Sequence, residues 1–187
     1  MIARRLFKTL PAILLLAVQP VQADSIIELG IHFGGDELVY EHYENGKKDS
    51  IKAGEMWSFD FGRLYQFSPS WEVQLTFGVK SDAKYDYNTE VTWVRYPLNG
   101  QFFYRMNSIR FGLGVTRHFQ PKLEGSGYAA NVNESYEDAT GGLIELDVIY
   151  SEKFLWGVRI TSIEYRSKKD GHVVDGSSIG FLIIAQL

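Results

Sequence analysis

Past its N-terminal stretch, this chain alternates apolar and polar side chains with a period of two almost to its last residue. That period belongs to extended strands with one apolar face, because successive side chains of a strand point to opposite sides. The pattern is clearest where Ile109, Phe111, Leu113 and Val115 oppose Arg110, Gly112, Gly114 and Thr116. It returns in seven further segments, whose apolar faces run through Leu29 and Ile31, Trp57 and Phe59, Val73 to Phe77, Tyr96 to Tyr104, Ile144 to Val148, Trp156 to Ile160, and Ile179 to Ile183. No long stripe of helical period appears, and no Pro-rich or Ser/Gly-rich linker divides the chain. The reading is all-β, with eight antiparallel strands in one domain.

The N-terminus indicates the compartment. Arg4, Arg5 and Lys8 precede the apolar run from Leu10 to Val18, Pro20 follows, and Val21-Gln22-Ala23 ends in a small residue suited to cleavage. This is the layout of a secretory signal, with an apolar run too short to anchor in a bilayer. The expected division is a signal peptide over 1–23 and a barrel domain over 24–187. Removal of the leader leaves 16 Lys and Arg against 23 Asp and Glu, a net charge of −7. An acidic balance argues against a nucleic-acid partner. The chain has no cysteine, which excludes disulfides, thiolate metal sites and a thiol nucleophile.

Alternation by itself does not choose between a soluble barrel or sandwich and a transmembrane barrel. Two features favour the membrane. The polar face is strewn with glycine, at Gly30, Gly62, Gly78, Gly112, Gly114, Gly157 and Gly180, which suits a narrow barrel interior where long charged side chains need small neighbours. The apolar face carries Phe67, Trp71, Tyr104, Tyr150, Phe154 and Trp156 near strand ends, as an interfacial aromatic girdle would. Connections at Ser68-Pro69-Ser70, Met106-Asn107-Ser108 and Ser151-Glu152-Lys153 are tight, whereas those over 34–54, 81–90, 118–141 and 167–176 are long. Short periplasmic turns alternating with long extracellular loops give that arrangement. Asn45-Gly46 is a type I′ turn signal inside the first long connection, and Gly125-Ser126-Gly127 marks the third as mobile. Pro97 falls inside a strand, where it cannot donate to the ladder, so a bulge is expected there.

These residues together resemble the small eight-stranded outer-membrane barrels of the OmpA/OmpX type, over essentially all of 24–187. The resemblance implies an integral outer-membrane location, with lipid and lipopolysaccharide as surroundings. In that group the last strand usually ends in an aromatic residue; this chain ends in Leu187.

The interior expected from these faces holds Glu28, Asp60, Glu72, Glu145 and Asp147 against Lys80, Arg95, Arg105, Arg110 and Arg159. Buried charge needs a partner, so a mutually neutralising network is expected in preference to an ion path. Ile26, Leu64, Phe103, Ile149, Leu155, Leu182 and Ile184 also point inward, all near the tight turns, and should plug that end. Above them a polar, glycine-lined cup should open outward.

No catalytic, cofactor-binding or metal-binding residue is assigned. His32 should be a hydrogen-bonded interior residue, while His42, His118 and His172 belong to loops or strand ends and show no metal-ligand spacing. Two kinds of lipid A-modifying enzyme share this architecture and supply the catalytic alternative. The deacylase signature His-x-Ser-Asn meets only Tyr165-Arg166-Ser167-Lys168, with no imidazole to activate Ser167. The acyltransferase set of His, Asp and Ser has only His42, Asp49 and Ser50 in the first loop. A narrow channel is the third reading. The acidic, tyrosine-rich loops, with Tyr40, Tyr43, Tyr85, Tyr87, Tyr128 and Tyr136, are the surface where an extracellular ligand would bind. The sequence reading is a monomer with a structural or surface-binding role.

Overall fold

The computed structural model describes residues 22–42, 48–86 and 89–187. Most of the expected leader and the Asn45-Gly46 turn lie outside them. Among the described residues thirteen strands follow one another, and eight close a barrel: β1 (Gln22–Phe33), β4 (Met56–Ser68), β5 (Trp71–Asp86), β6 (Thr89–Met106), β7 (Ile109–Gly127), β9 (Ala139–Ile149), β10 (Phe154–Ser162) and β13 (Ser178–Gln186). Each pairs antiparallel with its neighbours in the chain. β1 pairs with β13, as Leu29 opposite Ile183, to close the ring.

Three tight turns gather at one end of the barrel, where β1 begins and β13 ends, as expected. Local chemistry explains them. The Ser68 hydroxyl accepts the Ser70 and Trp71 amides at 3.3 and 3.1 Å, and Ser151 does the same for Lys153 and Phe154 at 3.3 and 3.2 Å. Asn107 takes a φ of 55°, a left-handed turn conformation that asparagine tolerates.

Outside, the wall is apolar. Leu75, Phe77, Leu113, Val115 and Phe181 are each at least half exposed, among some thirty large apolar side chains facing outward. A surface of that extent is a membrane-facing surface. Trp71 stacks against Phe102 and Tyr104 with centroids 4.9 and 4.7 Å apart near the turn end, while Trp57 and Phe33 stand at the far margin. Phe67 lies ten residue steps after Trp57 on β4; at about 3.3 Å per step and a tilt of about 40°, that is an apolar band about 25 Å tall. Leu113→Arg and Phe77→Arg should therefore each cost about 2–4 kcal/mol in a urea titration of the refolded barrel. Equal stability to the parent would mean that these side chains do not face hydrocarbon.

The long connections differ from expectation. β5 and β6 continue to Asp86 and Thr89 as one tall hairpin, and β7 stays paired with β6 to Gly127, so 125–127 is strand. β2 (Glu37–His42) and β3 (Lys48–Lys52) form the ribbon that flanks Asn45-Gly46. β8 (Glu134–Ser135) pairs with β7, and β11 (Glu164–Arg166) pairs with β12 (Val173–Asp175). Pro97 is not itself bulged: it lies in register opposite His118, where the β5–β6 ladder breaks between Phe77/Leu98 and Lys80/Arg95. The bulge is nearby. Between Val94↔Lys122 and Tyr96↔Phe119, β7 carries one residue more than β6, and Gln120 takes up the excess with a φ of 47°.

Candidate functional site

The interior is built in layers. At the turn end Leu155, Leu182 and Ile184 form one apolar cluster with Ile149 packed beside it, and Ile26, Leu64 and Phe103 are buried as well. The expected apolar plug is present. Gly112 leaves room for the Phe103 ring, because a Cβ at that position would lie against the ring carbons.

The next layer carries the charge. Arg110 Nε donates to Asp147 Oδ2 at 2.6 Å and Arg110 Nη1 to Glu72 Oε2 at 3.2 Å, while the guanidinium lies 4.0 Å from the Phe103 ring centroid. Arg159 spans Glu145 at 2.5 Å and Glu28 at 2.8 Å. Gln74 links the two groups: its amide nitrogen donates to Glu28 at 2.5 Å and its oxygen accepts from Arg110 at 3.0 Å. Gln101 donates to Glu145 at 2.7 Å. Arg105, half-buried, reaches Glu72 at 3.3 Å from the turn end. Most of the expected network is thus one hydrogen-bonded plate across the barrel. Glycine serves it as the sequence suggested, since a Cβ at Gly157 would collide with the Asp147 carboxylate.

Above the plate the wall lining turns polar. His32 Nε2 lies 2.9 Å from Ser58 Oγ, as expected of a hydrogen-bonded interior histidine. Lys80 donates to Ser178 at 3.2 Å, and Asn99 accepts the Thr116 hydroxyl at 2.7 Å. A cavity of about 20 Å³ remains between His32, Asp60, Lys80, His118 and Arg159. That is room for about one water.

The cup does not open outward, and here the structure corrects the sequence reading. Ile51, Ala53, Val91, Trp93, Leu123, Tyr136, Ala139, Ile163, Tyr165 and Val174 form a second apolar core over the polar layer. Trp93 is its centre, with Tyr136 and Tyr165 edge-on at 5.2 and 5.4 Å and its Nε1 donating to the Ala53 carbonyl at 3.0 Å. Arg95 belongs to this tier and not to the plate: it donates to the Glu55 carbonyl, pairs with Tyr165 and lies 5.2 Å from the Trp93 centroid. His118, expected in solvent, is 3% exposed and meets the Tyr165 hydroxyl at 2.6 Å through Nδ1. Tyr136, expected on the loop surface, is 1% exposed, whereas Tyr85 and Tyr128 are exposed as anticipated.

The residues of the catalytic alternative are separated or covered. Ser167 does have a base within reach, the Glu134 carboxylate, which accepts its hydroxyl at 2.5 Å. Serine and acid lie 33 residues apart in sequence, and an antiparallel bridge between Tyr136 and Ser167 brings them together. Yet Ser167 is 2% exposed. On β2 and β3 His42 pairs with Lys48 and Asp49 with Glu41, so the first-loop set is spread along a ribbon.

His172 is exposed. Its Nδ1 lies 2.7 Å from Asp170 and 3.7 Å from Glu134. The hydrogen bond between His172 and Asp170 holds the imidazole pKa above its ordinary value and the carboxyl at about 2. Burial and the neighbouring Glu134 carboxylate raise the Tyr136 phenol. These three functional-type side chains, Glu134, Asp170 and His172, were not singled out as a group in the sequence. Glu134 stands 36 residues before Asp170, so no local spacing reports them.

No protein-family profile and no curated protein sequence matches the chain. Solved structures do. The attachment invasion locus protein Ail of Yersinia pestis, in complex with the heparin analogue sucrose octasulfate, aligns with 89% of this chain and 97% of its own at 14% identity and a TM-score of 0.52. Neisserial surface protein A aligns with 90% of this chain and 100% of its own, at 6% identity and a TM-score of 0.56. At such identities the likeness is one of architecture. This chain has the closed eight-stranded antiparallel fold of the small outer-membrane β-barrels.

Proposed function

We propose that the protein is a non-enzymatic integral outer-membrane barrel, exported with loss of residues 1–23. In this reading it is a monomer, with its tight turns in the periplasm and its tall end outside. Its role is structural or surface-binding, and it is not a porin. The observation that carries the reading is the filled interior: apolar plug, ion-pair plate, polar layer and Trp93 core follow one another along the axis. Stacked Leu, Ile, Phe and Trp side chains exclude water and give an ion no substitute for its hydration shell. The protein reconstituted in planar bilayers should show no unitary conductance. Reproducible single-channel steps would promote the channel reading.

Sidedness follows from the turns. An epitope tag inserted after Ala130, in the exposed turn beyond β7, should bind antibody on intact cells. A tag between Ser68 and Pro69 should be reached only after permeabilisation. The reverse labelling would invert the orientation.

The lipid A-modifying alternative has one observation in its favour, the Ser167–Glu134 hydrogen bond. A serine shielded by its own loops cannot meet an acyl ester, so the surface-binding role is preferred. Lipid A compared by mass spectrometry between cells with and without the protein should be identical.

A further inference from the structure

We propose that Glu134, Asp170 and His172 form a surface site for a divalent transition cation of the zinc class. The site closes the junction between β8 and the β11–β12 turn at the loop end of the barrel. It does not depend on the barrel's being closed to ions or on its orientation.

The ligand atoms come from two segments far apart in sequence. Glu134 belongs to β8, and its strand partner Leu123 faces the apolar core. Asp170 and His172 flank Gly171, whose φ of 78° makes the turn that sets both side chains on one side. One candidate ligand atom from each residue lies within 4.8 Å of the other two. Both carboxylates converge on the same imidazole nitrogen, Asp170 at 2.7 Å and Glu134 at 3.7 Å from His172 Nδ1.

That donor set has a chemical preference. One imidazole nitrogen and two carboxylate oxygens suit zinc and its neighbours, which take ligands at about 2.0–2.2 Å, whereas calcium and magnesium favour oxygen alone. A cation would replace the proton that Nδ1 shares with Asp170. The present 2.7 Å between Nδ1 and the Asp170 oxygen would widen to about 3 Å or more around an ion bound at those ligand distances. Asp170 is exposed, its Oδ1 also accepts the His172 amide at 3.1 Å, and water would complete the coordination. The Glu134 Oε1 that faces His172 also accepts the Ser167 hydroxyl at 2.5 Å, the kind of outer partner that orients a metal-binding carboxylate. The ion would join two segments that already share the Tyr136–Ser167 bridge and the Lys168 amide bond to the Ser135 carbonyl at 2.9 Å.

Zinc chloride titrated calorimetrically into the refolded protein in detergent micelles should show one equivalent bound. His172→Ala and Glu134→Gln should each weaken binding by more than about tenfold, while His42→Ala leaves it unchanged. Asp170→Asn, nearly isosteric and exposed, repeats the test at the third ligand, and heat-modifiable gel mobility confirms that each variant has folded. Absence of binding to the parent protein would overturn the site. So would binding that survives His172→Ala or disappears with His42→Ala.

Discussion

Replacing Arg159 by methionine should destabilise the barrel by about 3–5 kcal/mol, the range found when one partner of a buried ion pair is deleted. The cost lies in what remains. Glu28 and Glu145 are both fully buried, and Arg159 is the cation that reaches each of them, at 2.8 and 2.5 Å. Without it, two carboxylates face each other across the lumen with the amides of Gln74 and Gln101 as donors. A second variant separates charge from shape: methionine at 159 with glutamine at both 28 and 145 removes the whole ionic group, and should recover most of the loss. Urea titration of the refolded barrel in lipid vesicles measures both. A loss below about 1 kcal/mol for Arg159→Met would mean that water reaches the plate, against the burial described above.

Trp93→Ala should produce an effect of similar size, about 3–5 kcal/mol as for large aromatic truncations in cores, but confined to one end of the molecule. Trp93 is fully buried, and its ring contacts with Tyr136 and Tyr165 join β6 to the residue after β8 and to β11. Its indole also ties Ala53 to the wall. None of these contacts involves the plug or the plate. The tier above the membrane should open locally while the wall keeps its mobility on a gel, since regions of a protein open with their own free energies. Trypsin offers the readout, because Arg166, Lys168 and Lys169 are exposed at the junction that Trp93 supports. Cleavage there should accelerate by about a hundredfold, the population change that corresponds to roughly 3 kcal/mol. Unchanged protection would show that the core does not hold these segments.

The wall was legible in the sequence because a membrane-facing strand repeats its pattern with no interruption. Leu113, Phe77 and Phe181 declare their side of the sheet by parity alone, and the tight turns declare themselves by Ser, Pro and Asn. The plug was legible for the same reason: Leu182 and Ile184 break the polar run of an inward face near a turn. Above the membrane the parity changes. Along β7 the buried residues Arg110, Thr116 and His118 are even-numbered, whereas Pro121 and Leu123 beyond Gln120 are odd. The one-residue bulge therefore moves the face, and a reading that carries the lower register upward places these residues on the wrong side. His118 and Tyr136 were misjudged for another reason. Their partner Tyr165 arrives from a segment far along the chain, and polar or tyrosine-rich stretches resemble solvated loops until that partner is present. The Glu134–Asp170–His172 group shares the difficulty, because it exists only after the Tyr136–Ser167 bridge forms.

The second core also bears on what the outside world can select. Loops are usually where a surface protein varies without penalty, because nothing packs against them. Here the alternation continues past the membrane: Leu123, Tyr136, Tyr165 and Val174 are buried, while Lys122 and Glu124, Ser135, Glu164 and Arg166, and Val173 and Asp175 point out. With this end outside, as proposed, an antibody or a phage tail approaching the protein meets every second side chain. The residues between them are held by packing as tightly as those of a soluble domain. Escape from such a recogniser is therefore channelled to the outward positions and to tips such as Tyr85 and Tyr128. The surface can change its chemistry residue by residue, but its shape is fixed from inside.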